Sequence, residues 1–255
     1  MRPAELSPDL VRAARRLKLG LILPILPERL RQARERGMDH EDLLLLLLSD
    51  EVQRRDRLSL GVRARKAGLD AELVFDAWDT SACVTYDRTL LDELRTLRFV
   101  EQHYHVLILG PVGVGKTMVA QALGHLAVAR GWTVHCTTAD KLFQGLKGSR
   151  LDGSHALELQ RLVSVDLLVI DDFALRPLDV METADLYEIV TARHRKRSMV
   201  VTSNRDPSEW LAMLADPLHA QALVDRLSNN GYDLVIEGES FRKRQKPRLS
   251  SLPHP

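Results

Sequence analysis

A glycine-rich octapeptide, GPVGVGKT at residues 110–117, constrains the fold of this chain more than any other stretch. It fits the pattern G-x-x-x-x-G-K-T and follows a short apolar run, HVLIL at 105–109, that is typical of a buried strand. Residues 118–130 carry apolar side chains at helical spacing, and Gly131 is placed to end that helix. A strand, a glycine-rich loop and a helix in this order predict a phosphate-binding loop, called the P-loop below.

Physical chemistry explains each part of this loop. Glycines let the backbone curl around a phosphate without a clashing Cβ, and the loop N–H groups and the helix N-terminus then face the anion. We expect Lys116 to reach the β- and γ-phosphates of a bound nucleotide and the Thr117 hydroxyl to bind Mg²⁺. The nucleotide-binding residues predicted in this way are Gly110, Pro111, Val112, Gly113, Val114, Gly115, Lys116, Thr117 and Met118.

A second apolar run, DLLVIDD at 166–172, ends in two carboxylates. An apolar strand with this ending is the usual companion of a P-loop. We expect Asp171 to hold Mg²⁺ through water and Asp172 to orient or deprotonate the attacking water. The alternative is a strand that ends in a helix-capping pair of aspartates. The spacing from Lys116 leaves room for one βαβ crossover, which favours the catalytic interpretation.

Two further polar residues follow predicted elements later in the chain. The strand at 198–202 ends in Ser203-Asn204-Arg205, and Asn204 could hold the water that faces the γ-phosphate, although a strand-terminal Asn is more often a turn residue. Arg226 lies on a predicted helix within ALVDRL at 222–227. It either pairs locally with Asp225 or reaches the nucleotide of a neighbouring subunit, and spacing alone does not choose between these roles.

The composition limits the environment and the partners. The formal net charge is only +1, so any affinity for nucleic acid must come from local patches. Two cysteines, Cys83 and Cys136, suggest a reduced compartment without a disulfide framework. The longest apolar stretch, residues 43–48, is far shorter than the roughly 20 residues needed to cross a bilayer, and the N-terminus lacks the layout of a signal peptide. We therefore expect a cytoplasmic protein without membrane contact.

The pattern of elements predicts four regions. Residues 1–67 form a helical domain, 68–86 a linker, 87–241 the nucleotide-binding domain, and 242–255 a basic, disordered tail that could bind polyanions. In the nucleotide-binding domain strands alternate with helices, which predicts a parallel sheet with helices on both faces.

Basic residues are concentrated in two places within these regions. The first 66 residues contain 15 Lys or Arg and 10 Asp or Glu, so this segment either contacts DNA or a partner protein or has a solvated helix face. The run at 193–197, RHRKR, leaves the same alternatives open.

Five blocks together resemble a known family: GPVGVGKT, DLLVIDDF, VVTSNRDPSEW, LVDRL and GESFR, in this order. The chain resembles the IstB-like proteins, the ATPase helper proteins of IS21-type transposons and a branch of the AAA+ ATPases close to bacterial helicase loaders. The resemblance covers about residues 74–245, and the N-terminal helices match more loosely. It implies an α/β fold with a P-loop AAA+ core, preceded by a small all-α domain and without a C-terminal lid.

The resemblance also implies roles, cofactors and partners. It matches Asp171 and Asp172 to the metal-binding and catalytic acids, Asn204 to the sensor of the γ-phosphate, and Arg226 to an arginine that reaches the next subunit. The implied cofactors are ATP and Mg²⁺. The implied partners are double-stranded DNA, the transposase of the same element and further copies of the chain in an ATP-dependent oligomer.

Two departures from the AAA+ pattern are visible. Asp172 stands where many AAA+ proteins have Glu, and its shorter arm weakens the case for a base. The chain ends soon after GESFR, which leaves Arg242 a weak candidate for the arginine usually found in a lid.

Three other functions use the same motifs. A replicative helicase loader would share the core but bind a helicase. A small-molecule P-loop kinase usually needs a mobile, arginine-bearing lid, and no such insert is visible. A scaffold could hold ATP without turnover, although intact Lys116, Asp171 and Asp172 argue against it.

Overall fold

The computed structural model describes residues 6–78 and 84–241, and the chain divides into two compact units, Met1–Val62 and Arg63–Pro255. The predicted basic tail, with Arg242, and Cys83 lie outside the described residues. Within the described part of the chain, no helix is both long and apolar enough to cross a membrane.

The N-terminal unit is helical, and local capping explains where its helices begin and end. The Ser7 hydroxyl accepts the N–H of Leu10 at 3.2 Å, and Pro8 occupies the first helical position. Gly37 ends the second helix with a φ of +61°, a conformation that glycine adopts without strain. The helices are α1 (Pro8–Arg16), α2 (Leu26–Arg36) and α3 (His40–Lys66), of which the last residues, from Arg63 on, are counted with the second unit.

The second unit contains a five-stranded parallel sheet in the order β3-β4-β5-β2-β6, and helices flank it. Strands β2 and β5 are buried along their whole length, which accounts for the apolar runs VLIL in β2 and MVV in β5. A separate antiparallel pair joins β1 to β7. The strands are β1 (Val84–Thr85), β2 (His105–Leu109), β3 (Val134–Thr138), β4 (Leu167–Phe173), β5 (Ser198–Ser203), β6 (Gly231–Val235) and β7 (Glu237–Gly238).

Side chains from α7, α8, α9 and α11 share one apolar core with β2, β4 and β5. The fully buried Trp210 and Phe173 meet edge to face within it, with ring centroids 4.8 Å apart. The helices of this unit are α4 (Arg88–Arg95), α5 (Arg98–Glu101), α6 (Lys116–Ala129), α7 (Ala139–Leu151), α8 (His155–Ser164), α9 (Val180–Arg193), α10 (Pro207–Trp210) and α11 (Pro217–Ser228).

The stretch predicted as a linker packs against this unit over its first residues. The Ala67 carbonyl accepts the N–H of Cys136 at 2.6 Å, and the Asp70 N–H donates to Gln121 Oε1 at 2.8 Å. Leu69 is buried against Gly124, where a Cβ would stand only 2.8 Å from a Leu69 methyl group. Residues 67–70 are therefore bonded to the sheet and to α6, and they belong to the compact unit Arg63–Pro255.

A histidine begins the P-loop strand and is fully buried. The ring of His105 lies 6.3 Å from that of His194, and neither His105 nitrogen has a hydrogen-bond partner among the described residues. Burial, together with the positive charge of Arg193, lowers the pKa of His105 to about 4. His105 is therefore neutral in the folded protein at pH 7.

This histidine should make the stability depend on pH. In the unfolded chain His105 takes up a proton near its ordinary pKa of 6.5, whereas in the folded protein it does so only near pH 4. The contribution of the neutral histidine to the free energy of unfolding is therefore complete above pH 6.5 and is lost as the pH falls towards about 4. The loss should approach about 3 kcal/mol. In urea unfolding at several pH values, His105→Leu should show a smaller fall in unfolding free energy over this range than the unchanged protein.

The matched control is His40→Gln, which removes an exposed histidine at the start of α3. It should retain the pH dependence of the unchanged protein. Parallel pH profiles for His105→Leu and the unchanged protein would contradict this role of His105.

Candidate nucleotide-binding site

The P-loop joins β2 to α6, as the sequence predicts, and its backbone explains its glycines. Gly110, Gly113 and Gly115 have φ values of +144°, +87° and +103°, which side chains rarely permit. A Cβ on Gly110 would stand 2.0 Å from the carbonyl oxygen of Ile236, and one on Gly113 would stand 2.1 Å from Ser240 Oγ. Space and conformation therefore both require glycine at these positions.

The lysine and threonine of the loop lie at the start of α6. Lys116 is buried, and its Nζ donates to the carbonyl oxygen of Pro111 at 2.8 Å, so the side chain folds back over the loop. The Thr117 hydroxyl donates to Asp171 Oδ1 at 3.1 Å. In the rest of the loop Pro111 and Val112 are exposed and Val114 is buried, and Met118 on α6 is half-buried.

The two aspartates at the end of β4 lie in different environments. Pairing with β5 shifts register between Ile170 and Phe173, and within this irregularity Asp172 has a φ of +56°. Asp171 is buried, and its Oδ1 accepts the Thr202 hydroxyl at 2.5 Å as well as that of Thr117. The Asp172 side chain is exposed.

The oxygen atoms of Thr117 and Asp171 fit the ligands of a magnesium ion. Mg²⁺ prefers hard oxygen ligands and usually binds proteins through one or two carboxylates together with waters and substrate phosphates. The Thr117 hydroxyl and the Asp171 carboxylate are 3.1 Å apart and are such donors, next to the predicted phosphate loop.

The neighbouring strand end carries the predicted sensor. Asn204 follows β5 and is exposed, whereas Ser203 is buried and donates to the carbonyl oxygen of Phe173 at 2.9 Å. Arg205 donates through Nε to the carbonyl oxygen of Ala174 at 3.0 Å. Hydrogen bonds on both sides of Asn204 therefore tie its loop to the end of β4.

Arg226 lies on α11 and is half-buried. Its Nη1 donates to the carbonyl oxygen of Ala222 at 2.8 Å, and its Cζ lies 5.5 Å from the centre of the Tyr187 ring. Asp225 instead accepts a hydrogen bond from the Asn229 amide at 2.6 Å. The two side chains thus have separate partners in place of the local pair considered from the sequence.

Much of the basic run at 193–197 serves the fold. Arg193 is fully buried and donates to the carbonyl oxygens of Leu162, Val165 and Ser198, and burial lowers its pKa to about 9. Arg197 pairs with Asp166. DNA contact by the whole run is therefore excluded, because the guanidinium group of Arg193 is already enclosed.

The basic residues of α3 likewise include some that form ion pairs within the fold and others that face solvent. Arg54 and Arg55 both donate to the buried Glu51 at 2.7 Å, and the hydrogen bond from Arg54 is the largest cause that lowers the pKa of Glu51 to about 2. Arg55 stays exposed in spite of this bond, and the other exposed cations of the helix are Arg57, Arg63, Arg65 and Lys66.

Sequence reasoning missed two features of this site. The first is the hydrogen bond from the Thr202 hydroxyl to Asp171. The position of Thr202 near the end of a predicted strand was the sequence signal that could have indicated it. Trp78 lies against the P-loop: a Cβ on Gly115 would stand 2.9 Å from its ring, which also meets Tyr86 edge to face. No sequence pattern linked this tryptophan to the loop.

Cys136 lies on β3, the strand beside β4, and is buried. Burial is the main cause that raises the pKa of its thiol to about 12, and the negative charge of Asp171 adds to it. The thiol is therefore protonated at neutral pH and is not a reactive group of the site.

The sheet order, the P-loop after β2 and the carboxylates at the end of β4 define a P-loop protein with an AAA+ type of core. The chain belongs to the IstB-like ATP binding protein family, whose model matches residues 12–249.

Sequence matches to related proteins cover almost the whole chain. A putative ATP-binding protein in an insertion sequence of Mycobacterium tuberculosis is 35% identical over 242 residues, which are 94% of this chain and 96% of that protein. The insertion sequence IS21 putative ATP-binding protein of Pseudomonas aeruginosa is 30% identical over 93% of this chain and 89% of its own length.

Solved structures share the fold. The DnaC helicase loader matches with a TM-score of 0.54 and 19% identity, covering 65% of this chain and 97% of its own. The replication initiator DnaA bound to AMPPCP and single-stranded DNA matches with a TM-score of 0.55 and 23% identity over 67% of this chain. The present chain spans about half of that DnaA chain, since 51% of it is covered.

The crowding at Gly110 leads to a test by substitution. Gly110→Ala should lower the free energy of unfolding by more than about 2 kcal/mol, because its Cβ meets the carbonyl oxygen of Ile236 and its φ is unfavourable for alanine. Thermal and urea unfolding measure this loss.

The matched control is Gly148→Ala in α7, where a Cβ meets no atom within 4 Å. It should leave stability unchanged or raise it by up to about 1 kcal/mol. Equal stability of the two variants would show that the loop tolerates a side chain at Gly110.

Proposed function

We propose that the chain binds and hydrolyses ATP with Mg²⁺ and uses this cycle to assemble on duplex DNA as the helper of an IS21-type transposase. As a helper it would take part in target selection and would recruit and stimulate the transposase. The observation that carries the ATPase part is the hydrogen bond between Thr117 on the P-loop helix and Asp171 at the end of β4. The insertion-sequence relatives support the transposition part.

Each residue of the site would have a definite task. Lys116 and the P-loop N–H groups would hold the phosphates, and Thr117 with Asp171 would hold Mg²⁺, which neutralises charge on the transferring phosphoryl group. Asp172 is exposed and would orient the attacking water or accept its proton, although its arm is shorter than that of glutamate. Asn204 on the adjacent strand end would hold the same water.

DNA binding would rest on phosphate contacts. In α3 no aromatic residue lies between the exposed cations Arg57, Arg63, Arg65 and Lys66. A cluster of this composition suits contacts with phosphates better than contacts with base edges. Such binding would tolerate many sequences and weaken steeply with salt.

A replicative helicase loader is the second candidate, because the fold matches the DnaC helicase loader over nearly all of that protein. The two functions differ in the partner. Retention by the transposase of the same element, but not by a replicative helicase, is expected in a binding assay with purified proteins. The reverse result would favour the loader.

The ATP cycle can be tested with two substitutions. Lys116→Ala removes the charge on the β- and γ-phosphates and should abolish both nucleotide binding and ATP-dependent assembly on duplex DNA. Asp172→Asn should bind ATP and assemble, yet slow hydrolysis by about a hundredfold or more, because the water loses its proton acceptor. Asparagine also tolerates the φ of +56° at this position, so the backbone should be retained.

Electron microscopy with duplex DNA, with and without ATP, would measure assembly, and phosphate release would measure turnover. Undiminished assembly by Lys116→Ala would contradict the proposed dependence of assembly on ATP. Turnover by Asp172→Asn at the rate of the unchanged protein would remove Asp172 from the catalytic residues.

Arg226 is proposed to act on the nucleotide of a neighbouring subunit. Arg226→Ala should leave nucleotide binding nearly intact but weaken both assembly and hydrolysis, because the guanidinium group stabilises charge on the phosphoryl group in trans. A subunit that lacks Lys116 can still lend its Arg226, and a subunit that lacks Arg226 still has a usable site. Mixing the two variants should therefore recover part of the ATPase activity that each has lost.

The control for this mixture is Gln221→Ala, an exposed change on the same helix that should leave hydrolysis unchanged. Co-assembly of the two variants is first established by cross-linking. Mixtures that co-assemble but stay as inactive as either variant alone would count against the trans role.

A further inference from the structure

Thr202 is a fully buried residue of β5 whose hydroxyl touches both aspartates at the end of β4. Its Oγ1 donates to Asp171 Oδ1 at 2.5 Å and accepts the backbone N–H of Asp172 at 3.0 Å. A single side-chain atom therefore lies between the predicted metal ligand and the predicted base.

The irregularity of β4 explains why this hydroxyl is needed. Ile170 pairs with Val201 and Phe173 pairs with Ser203, so two residues of β4 stand opposite Thr202 alone. Such a bulge interrupts the ladder of backbone hydrogen bonds, so backbone N–H groups within it take other acceptors. The Thr202 hydroxyl accepts the N–H of Asp172 at this point and so holds the bulge in place.

The same hydroxyl also fixes the Asp171 carboxylate. A threonine hydroxyl has one proton, and this proton goes to Asp171 Oδ1. That oxygen also accepts the hydroxyl of Thr117, which would turn to Mg²⁺ when the metal binds. The bond from Thr202 would then be the one that keeps the carboxylate oriented towards the metal and its waters.

We propose that Thr202 is a positioning residue for ATP hydrolysis, which sets the metal-binding Asp171 and the water-activating Asp172 relative to each other through one hydroxyl group. The inference rests on the proposed ATPase function. It extends the site to a buried residue that acts through the two aspartates.

The test compares Thr202→Val, which keeps the shape but removes both hydrogen bonds, with Thr202→Ser, which keeps the hydroxyl. The valine variant should lower kcat at least tenfold and raise several-fold the Mg²⁺ concentration that gives half-maximal rate. Its KM for ATP at saturating Mg²⁺ should change less than about twofold, since the P-loop is untouched. The serine variant should restore most of kcat and the Mg²⁺ dependence.

The matched control is Thr183→Val in α9, another fully buried threonine, whose hydroxyl accepts the N–H of Ala215 at 3.2 Å. It should lower the melting temperature by an amount similar to that for Thr202→Val, without changing kcat or the Mg²⁺ dependence. If Thr202→Val does not fold, Thr202→Ala assayed below its melting temperature replaces it, with the same expected result.

Three results would overturn the proposal: an unchanged kcat and Mg²⁺ dependence in Thr202→Val, a serine variant as impaired as the valine variant, or an equal loss of kcat in Thr183→Val. Measuring the unchanged protein in the same assay distinguishes failure of the proposed ATPase function from failure of the role of Thr202. No ATP turnover by that protein would overturn the proposed function and this inference with it. Turnover by that protein together with any of the three results would overturn the role of Thr202 alone.

Discussion

The carboxylate of Asp171 joins three parts of the chain that are far apart in sequence, and the candidate site depends on it. Asp171 lies near the end of β4, and its carboxylate accepts the hydroxyl of Thr117 from the start of α6 and the hydroxyl of Thr202 from β5. These bonds are possible because the carboxyl ends of parallel strands meet at one edge of the sheet, where α/β folds bind their ligands. Asp171 therefore links the P-loop helix to β4 and β5.

Positive charge in this chain has two uses, which the structure separates. Some cations hold the fold from inside, as Arg193 does by donating to five backbone carbonyl groups and as Arg54 does by pairing with Glu51. Others, such as Arg57 and Arg63, face solvent and are available to a polyanion. Because the formal net charge is only +1, this local distribution, and not an overall field, would set the position of the proposed contact with DNA.

Family and fold support different parts of the functional argument. Membership in the IstB-like ATP binding protein family covers residues 12–249 and therefore nearly the whole chain. The likeness to the DnaC helicase loader and to DnaA shows a shared core and leaves the partner open. Exposed residues outside the P-loop, which the core fold does not constrain, would therefore distinguish a transposition helper from a loader.

The sequence by itself determined the elements whose signals are local. The P-loop, the apolar strands on either side of it and the Asp171-Asp172 ending were readable because each needs particular residues within a few positions. The five-stranded parallel sheet followed from strands alternating with helices. The helix α8 was not predicted, because its apolar residues acquire their meaning only when they pack on the core shared with α7.

Only the tertiary structure decided which polar groups meet. The bridge from Thr202 to both aspartates depends on a register shift between β4 and β5, strands about 30 residues apart in the chain, and no local pattern encodes that register. The enclosure of Arg193 and the packing of Leu69 on α6 depend likewise on residues brought together by folding. Short-range patterns specify what each segment can form, whereas long-range packing selects the partner of each buried polar group.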